Sequence, residues 1–452
     1  MGTSRRSFMV GCSAAIASLG GARFKSLTFG AQPGDDVLVV LFLRGGIDGL
    51  NWVVPTTHSD RGRYEQARPT LAVPASGSNS ARSIGGGFGM HPAASGLRNI
   101  FQDGNVAVVH ATGMINNANR SHFDAMEFIE LGTPGEKSTF SGWLARHLSA
   151  LDLPSNVPLP AVSIGNLQQT SLRGSIESVN MSSISSFNLD RGPYQWRDQH
   201  RAALRSMISN GNSEIHVTCE QALDAIDVIE LNSSGGYTPA NGAQYPGGSL
   251  GDHFEAVAQM VKLGLGLRVA AIDFGGWDTH NGQGDNGGGY FSQRLGELSQ
   301  ALEAFYTDLD GNGANNFTDC VTVAVQSEFG RRLRQNANRG TDHGYGNVML
   351  LMGGSVNGGL YGQWPGLATG QLFDQADLNV TTDYRQVFSE ILIRRFGNAD
   401  IDTVFPGYAP DYIANGPLGI MQGSDIPVNL GPPLFGDGFE SGGGGGWDQM
   451  VE

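Results

Sequence analysis

The residues best suited to chemistry in this chain are carboxylates and imidazoles that recur beside short apolar runs. Asp48 follows Val37–Leu43 in Arg44-Gly45-Gly46-Ile47-Asp48-Gly49, and Arg120-Ser121-His122 follows run 106–110 after a short loop. Asp278 and His280 lie in Gly276-Trp277-Asp278-Thr279-His280 after run 267–274, while Glu328 and Arg331 follow run 320–325. Asp342 and His343 come just before run 348–352. Oxygen and imidazole donors without thiolate suit a divalent Zn, Mn, Mg or Fe ion rather than a structural cysteine-zinc site. The candidate ligands are Asp48, Asp278, His280, Glu328, Asp342 and His343, and the candidate catalytic group is Ser121 with Arg120 and His122. A metal there would polarise an ester oxygen or activate the Ser121 hydroxyl, and Arg120 or Arg331 would neutralise an oxyanion. Each motif alone also has a structural meaning. Asp-Gly and Asp-Thr are turn and cap chemistry, Ser121 with Asp124 fits a helix start, Glu328 and Arg331 suit an internal ion pair, and His91 and His110 read as structural histidines. Repeated placement beside apolar runs, rather than any single motif, points to a site.

For these residues to meet, the runs must be strands that end on one edge, because open parallel sheets bind ligands beyond their carboxyl ends. Near-continuous apolar character is that of strands covered on both faces. Phe291, Leu295, Leu298, Leu302, Phe305 and Leu309 recur at steps of four and three, which predicts a helix leading into run 320–325 and a βαβ crossover. A second helix is predicted over 383–396. The expected fold is α/β, a mainly parallel sheet with helices on both faces. Segment 165–250, serine-rich, then helical over 200–232, then Gly/Pro/Tyr-rich, is expected to be an inserted cap.

The chain has 452 residues and a formal net charge of −15, with 16% charged residues against about 25% in an average globular chain. That composition excludes a basic nucleic-acid binder and a charge-rich disordered chain. Ser4-Arg5-Arg6-Ser7-Phe8-Met9 opens a weakly apolar stretch without acidic residues, which reads as a twin-arginine export signal over 1–31, a ligand of the twin-arginine translocase. The expected body spans 32–420, followed by a flexible glycine-rich tail over 421–452. Run 256–274 carries Lys262 and Arg268, so no integral membrane segment is expected in the body. Cys12 lies in the leader, and Cys219 and Cys320 read as buried free thiols.

Taken together, Gly45-Gly46-x-Asp48-Gly49-Leu50-Asn51, Arg120-Ser121-His122-Phe123, Gly276-Trp277-Asp278-Thr279-His280, Ser327-Glu328-Phe329-Gly330-Arg331, Thr341-Asp342-His343-Gly344 and Asp383-x-Arg385 resemble the domain of unknown function 1501 family. These exported bacterial proteins are grouped with the alkaline phosphatase-like superfamily of sulfatases and phosphoglycerate mutases. The resemblance covers about 37–396. It implies an alkaline phosphatase-like fold, with Asp48 as the first carboxylate, Ser121 as nucleophile, Asp278 and His280 as an Asp/His pair, and Glu328 and His343 as late ligands. Phe329 stands where that superfamily carries a histidine, which implies one metal or a degenerate site. The expected activity is metal-dependent hydrolysis of a phosphate, sulfate or related ester, on a small anionic molecule or a polysaccharide. The alternative is a secreted, non-catalytic binding or assembly protein on the same scaffold.

Overall fold

Val37–Leu43 (β1) is buried along its whole length, and its side chains alternate between two apolar layers. Val37, Val39, Leu41 and Leu43 join one core and Leu38, Val40 and Phe42 the other, as the period of two along a strand requires. In this computed structural model, which describes residues 36–430 apart from 155–156, 185–186, 189–195, 210, 212 and 234–235, β1 is an inner strand of a nine-stranded sheet. The further strands, in chain order, are Val53–Pro55 (β2), Arg82–Gly85 (β3), Phe88–Met90 (β4), Val106–Gly113 (β5), Ala161–Ile164 (β6), Ser178–Met181 (β7), Val269–Phe274 (β8), Val321–Gln326 (β9), Arg331–Gln335 (β10), Thr341–His343 (β11), Asn347–Met352 (β12), Gly359–Tyr361 (β13) and Thr382–Asp383 (β14). The large sheet runs β13-β5-β12-β9-β1-β8-β6-β7, with β14 also on β5. The triplet β2-β4-β3 and the hairpin β10-β11 stand apart from it.

The longer helices are Ser95–Gln102 (α1), His122–Leu131 (α2), Trp143–Ser149 (α3), Arg197–Ile208 (α4), Glu214–Ser233 (α5), Ser249–Leu263 (α6), Tyr290–Leu309 (α7) and Tyr384–Phe396 (α8). Helices α1, α6 and α7 supply one core, and α2, α3 and α8 the other. The apolar stripe of α7 is buried at all six predicted positions. The fold is therefore the α/β class read from the sequence, a mainly parallel sheet with helices on both faces.

One strand departs from the expected direction, and the departure matters. β12 is antiparallel to both β5 and β9, whereas β1 is parallel to β8 and β9. Residues that precede an antiparallel strand enter at the edge where the parallel strands end. His343 thus reaches the same edge as the ends of β1, β5, β8 and β9, which a parallel β12 would have prevented. Run 348–352 reads as a parallel strand because its apolar character reports burial on both faces, not direction.

Three other expectations change. Segment 165–250 is not wholly an insertion, since β7 pairs with β6 as the edge strand of the main sheet. Met421, assigned to the tail by composition, is buried, and Glu390 accepts hydrogen bonds from the Leu418, Gly419 and Met421 amides. Cys320 is buried but Cys219 lies exposed on α5, and both are free thiols. The twin-arginine segment and residues 431–452 lie outside the described residues. Among the described residues no helix is long and apolar enough to cross a membrane.

Candidate metal centre

At the edge where β1, β5, β8 and β9 end, one buried guanidinium joins the loops after β1 and β8 to β11. Arg331, at the start of β10, donates Nε–H to the Gly46 carbonyl (2.6 Å), Nη1–H to Thr341 (2.8 Å), and Nη2–H to the carbonyls of Gly45 and Trp277 and to Asp278 Oδ1 (2.7 Å). Three loops converge on this planar fork, whose five N–H directions suit several fixed acceptors at once. The approach is close enough that position 45 must be glycine: its φ is +118°, and a Cβ would stand 2.6 Å from the Asp278 amide nitrogen.

Around Asp278 three imidazoles converge. His122 is the first residue of α2, His280 lies on the loop after β8, and His343 closes β11. Their Nε2 atoms lie 3.4, 3.2 and 3.2 Å from Asp278 Oδ1, and the Nε2 atoms of His280 and His343 are 2.9 Å apart. Each Nδ1 faces an acceptor: Glu328 Oε1 for His122 (2.6 Å), Asp342 Oδ1 for His280 (3.0 Å) and the Arg120 carbonyl for His343 (2.8 Å). An acceptor at Nδ1 fixes the proton there, so three Nε2 lone pairs are left facing one carboxylate oxygen, two of them also facing each other. Nε2 of His122 is buried without a hydrogen-bond partner among the described residues. Lone pairs gathered this way repel unless a cation lies among them. Donors about 2.0–2.1 Å from one ion at tetrahedral angles stand about 3.3 Å apart, and the ligand atoms of His122, Asp278 and His343 all lie within 4.8 Å of one another. Second-layer acceptors on ring N–H groups are how metal-binding histidines are oriented. The residues therefore fit a metal: His122, Asp278 and His343 as donors, Glu328 and the Arg120 carbonyl as orienters of the two imidazoles, and His280, held by Asp342, beside His343. Asp278, Glu328 and Asp342 against Arg331 leave two negative charges, the complement of a divalent ion.

The titration behaviour agrees. Burial pushes the Asp278 carboxyl up, but the Arg331 hydrogen bond and charge, with His343 and His122, outweigh it and hold the group at about 2. The Glu328 hydrogen bond raises the His122 imidazole against the effect of burial, so a proton and a cation compete for the same Nε2. Burial lowers His343, which favours the neutral, ligating form.

The remaining candidates are placed differently. Asp48 is fully buried away from the centre, ion-paired to Arg68 at 2.6 Å and bonded to Gln283. It does not meet the other proposed ligands, because the short turn after β1 directs it beneath the loops rather than above them. Glu328 and Asp342 bind imidazole N–H groups instead of occupying donor positions. His122, read as catalytic, takes the donor position that Asp48 was expected to fill. Arg120 is not free for an anion, since its guanidinium is held by Asp377 and Asp374. Arg331 is likewise spent on five acceptors. Ser121 caps α2, accepting from the Asp124 amide at 3.5 Å. Two contributors carry no signal in the sequence, Gln283 within the loop after β8 and Asp377 within 373–377.

A family model described as "Protein of unknown function (DUF1501)" matches residues 35–405. The chain belongs to the DUF1501 family. The candidate metal-site residues of this DUF1501 chain all lie within the matched span. No curated protein matches its sequence. Among solved structures it is similar to Ps i-CgsB in complex with k-i-k-neocarrahexaose, at 10% identity over 84% of this chain and 77% of that one, with a TM-score of 0.37. It is also similar to the lipoteichoic acid synthase LtaP from Listeria monocytogenes, at 10% identity over 77% of this chain and 74% of that one, with a TM-score of 0.29.

Proposed function

We propose that this DUF1501 protein is an exported, metal-dependent hydrolase acting on a phosphate, sulfate or related ester. The supporting observation is the convergence of three imidazole Nε2 atoms on Asp278 Oδ1 with every Nδ1 already bound to an acceptor. An imidazole-rich set favours Zn, Mn or Fe over Mg, which prefers oxygen. A divalent ion held there supplies Lewis acidity toward an ester oxygen. The chain's own residues do the rest. The amino end of α2 lies at the centre, because His122 is its first residue, and its partial positive charge favours an anionic substrate. Ser121, directly before His122, is the proposed nucleophile, and its long 3.5 Å bond to the Asp124 amide leaves Oγ available. The side chain of Asp278 is 49% exposed, so substrate has access from solvent.

One observation favours a second reading, a non-catalytic binder: Ser121 has an adequate structural role as a helix cap, and Arg120 is committed to Asp374 and Asp377. Purified protein loaded with zinc or manganese separates the two. The hydrolase reading expects one bound metal per chain, turnover of 4-nitrophenyl phosphate or sulfate, and a loss of at least about 100-fold in Ser121→Ala. Metal binding without turnover favours the binder. No bound metal, with stability indifferent to chelator, removes the centre itself.

A further inference from the structure

Beneath the centre a buried side-chain amide joins the two loops that carry its donors. Gln283, 1% exposed, accepts through Oε1 from the hydroxyls of Thr279 (3.0 Å) and Thr341 (2.9 Å) and donates through Nε2 to Asp48 Oδ2 (2.6 Å). Thr279 stands between Asp278 and His280, and Thr341 directly precedes Asp342 and His343. The two loops also meet through the backbone, where the Thr341 amide donates to the Thr279 carbonyl at 3.1 Å. All four side chains are buried.

We infer that Asp48 and Gln283 form a positioning relay for the metal centre, an inference that rests on the metal-centre reading above. An ionised carboxylate only accepts hydrogen bonds, so Asp48 draws the NH2 end of the amide to itself and turns the carbonyl end toward the threonines. One oxygen with two lone pairs then holds both hydroxyls, which fixes the separation of the 278–280 loop from the start of β11. Arg68 holds Asp48 in turn through Nη1 at 2.6 Å, and donates Nε–H and Nη2–H to the carbonyls of Leu333 (2.8 Å) and Arg332 (2.9 Å) on β10. Asp48 thereby serves the site from two bonds below it, without touching the metal. Gln283 and Asp48 are positioning residues, not catalytic ones.

The test uses full-length protein and cobalt(II) as the probe, whose visible spectrum reports coordination geometry. Gln283→Met keeps length and volume but removes the amide from both hydroxyls and leaves Asp48 to Arg68 alone. Removing a direct hydrogen-bond partner of a metal ligand typically costs 10–100-fold in affinity; Gln283 stands one step further out, so a loss of about tenfold is expected here, with altered cobalt bands. Should Gln283→Met fail to fold, Thr341→Val and Thr341→Ser carry the test. The valine is expected to weaken cobalt binding, whereas the serine, which keeps the hydroxyl, restores affinity and spectrum. Cobalt affinity and bands unchanged in both Gln283→Met and Thr341→Val would overturn the relay and leave the metal centre standing. If the unaltered protein takes up neither cobalt nor zinc, the metal-centre reading fails and the relay fails with it.

Discussion

Nη2 of Arg331 lies 2.7 Å from Oδ1 of Asp278, the same carboxylate oxygen that three imidazole Nε2 atoms face. One guanidinium thus fixes a proposed metal ligand and neutralises part of its charge. A bare carboxylate would hold a divalent ion more tightly but would lack a fixed direction. Lysine cannot replace this fork, because an ammonium on a flexible stem reaches few of the five acceptors. Arg331→Lys should lower unfolding stability by about 2–5 kcal/mol, since each abandoned buried acceptor costs about 1–3 kcal/mol. It should also weaken zinc binding. Urea unfolding and calorimetric zinc titration measure both, and a variant as stable and as tightly metallated as the parent refutes the staple.

The donor assignment makes a graded forecast. His122→Ala and His343→Ala each delete a proposed ligand, so zinc affinity should fall by well over 100-fold. Glu328→Leu removes the acceptor that the His122 Nδ1–H and the Gly45 amide share and should cost about 10–100-fold. Asp48→Asn deletes no donor and should leave the stoichiometry at one. Competition with a chromophoric chelator ranks the four. If Asp48→Asn loses metal outright while His122→Ala keeps it, the assignment is inverted.

The same ranking shows what the sequence made legible. Strand-end placement anticipated that Asp278, His280 and His343 lie side by side, because loops at one sheet edge meet whatever the details of packing. It mislocated Asp48, since a carboxylate after a strand looks the same whether it points above the loops or below them. Arg68, the partner that draws it down, stands twenty residues away with no motif around it. Donor and orienter also look alike in one dimension: Glu328 and His122 are both ligand-type residues, and only the 2.6 Å bond at Nδ1 separates their roles. The direction of β12 was hidden for a similar reason, because burial on both faces erases the alternation that would hint at an antiparallel neighbour.

Gly340 offers a test of how tightly the β10-β11 hairpin is pressed against the centre. A Cβ there would stand 2.3 Å from the carbonyl oxygens of both Thr279 and His280. Since these are backbone atoms, relief requires the hairpin to retreat from the 278–280 loop, and His343 retreats with it. Gly340→Ala should therefore lower zinc affinity at least tenfold and reduce the melting temperature. Gly62→Ala, at a position with open space around it, should do neither. Equal effects of the two substitutions would show that the hairpin is not held in register by this contact.

Part of the acid sensitivity should arise away from the centre, at three buried histidines. Burial pushes His91 and His110 down to about 4 and His147 down to about 3. These folded values lie below the unfolded value of about 6.5, so the unfolded chain binds more protons and stability falls as pH drops below 6.5 toward the folded pKa values. Each histidine contributes about 1.4 kcal/mol per pH unit in that window, or roughly 4 kcal/mol per unit for the three together. His110 isolates the effect. Its ring packs against Phe88 at 4.5 Å and Trp364 at 5.4 Å, and its Nε2 has no hydrogen-bond partner among the described residues. Phenylalanine suits those surroundings, so His110→Phe should leave stability near pH 7.5 unchanged or slightly raised and should reduce the slope between pH 6 and 4.5 by up to about 1.4 kcal/mol per unit. Urea midpoints collected across that range give the slope directly, and an unaltered slope in His110→Phe would mean that His110 takes up its proton in the folded protein.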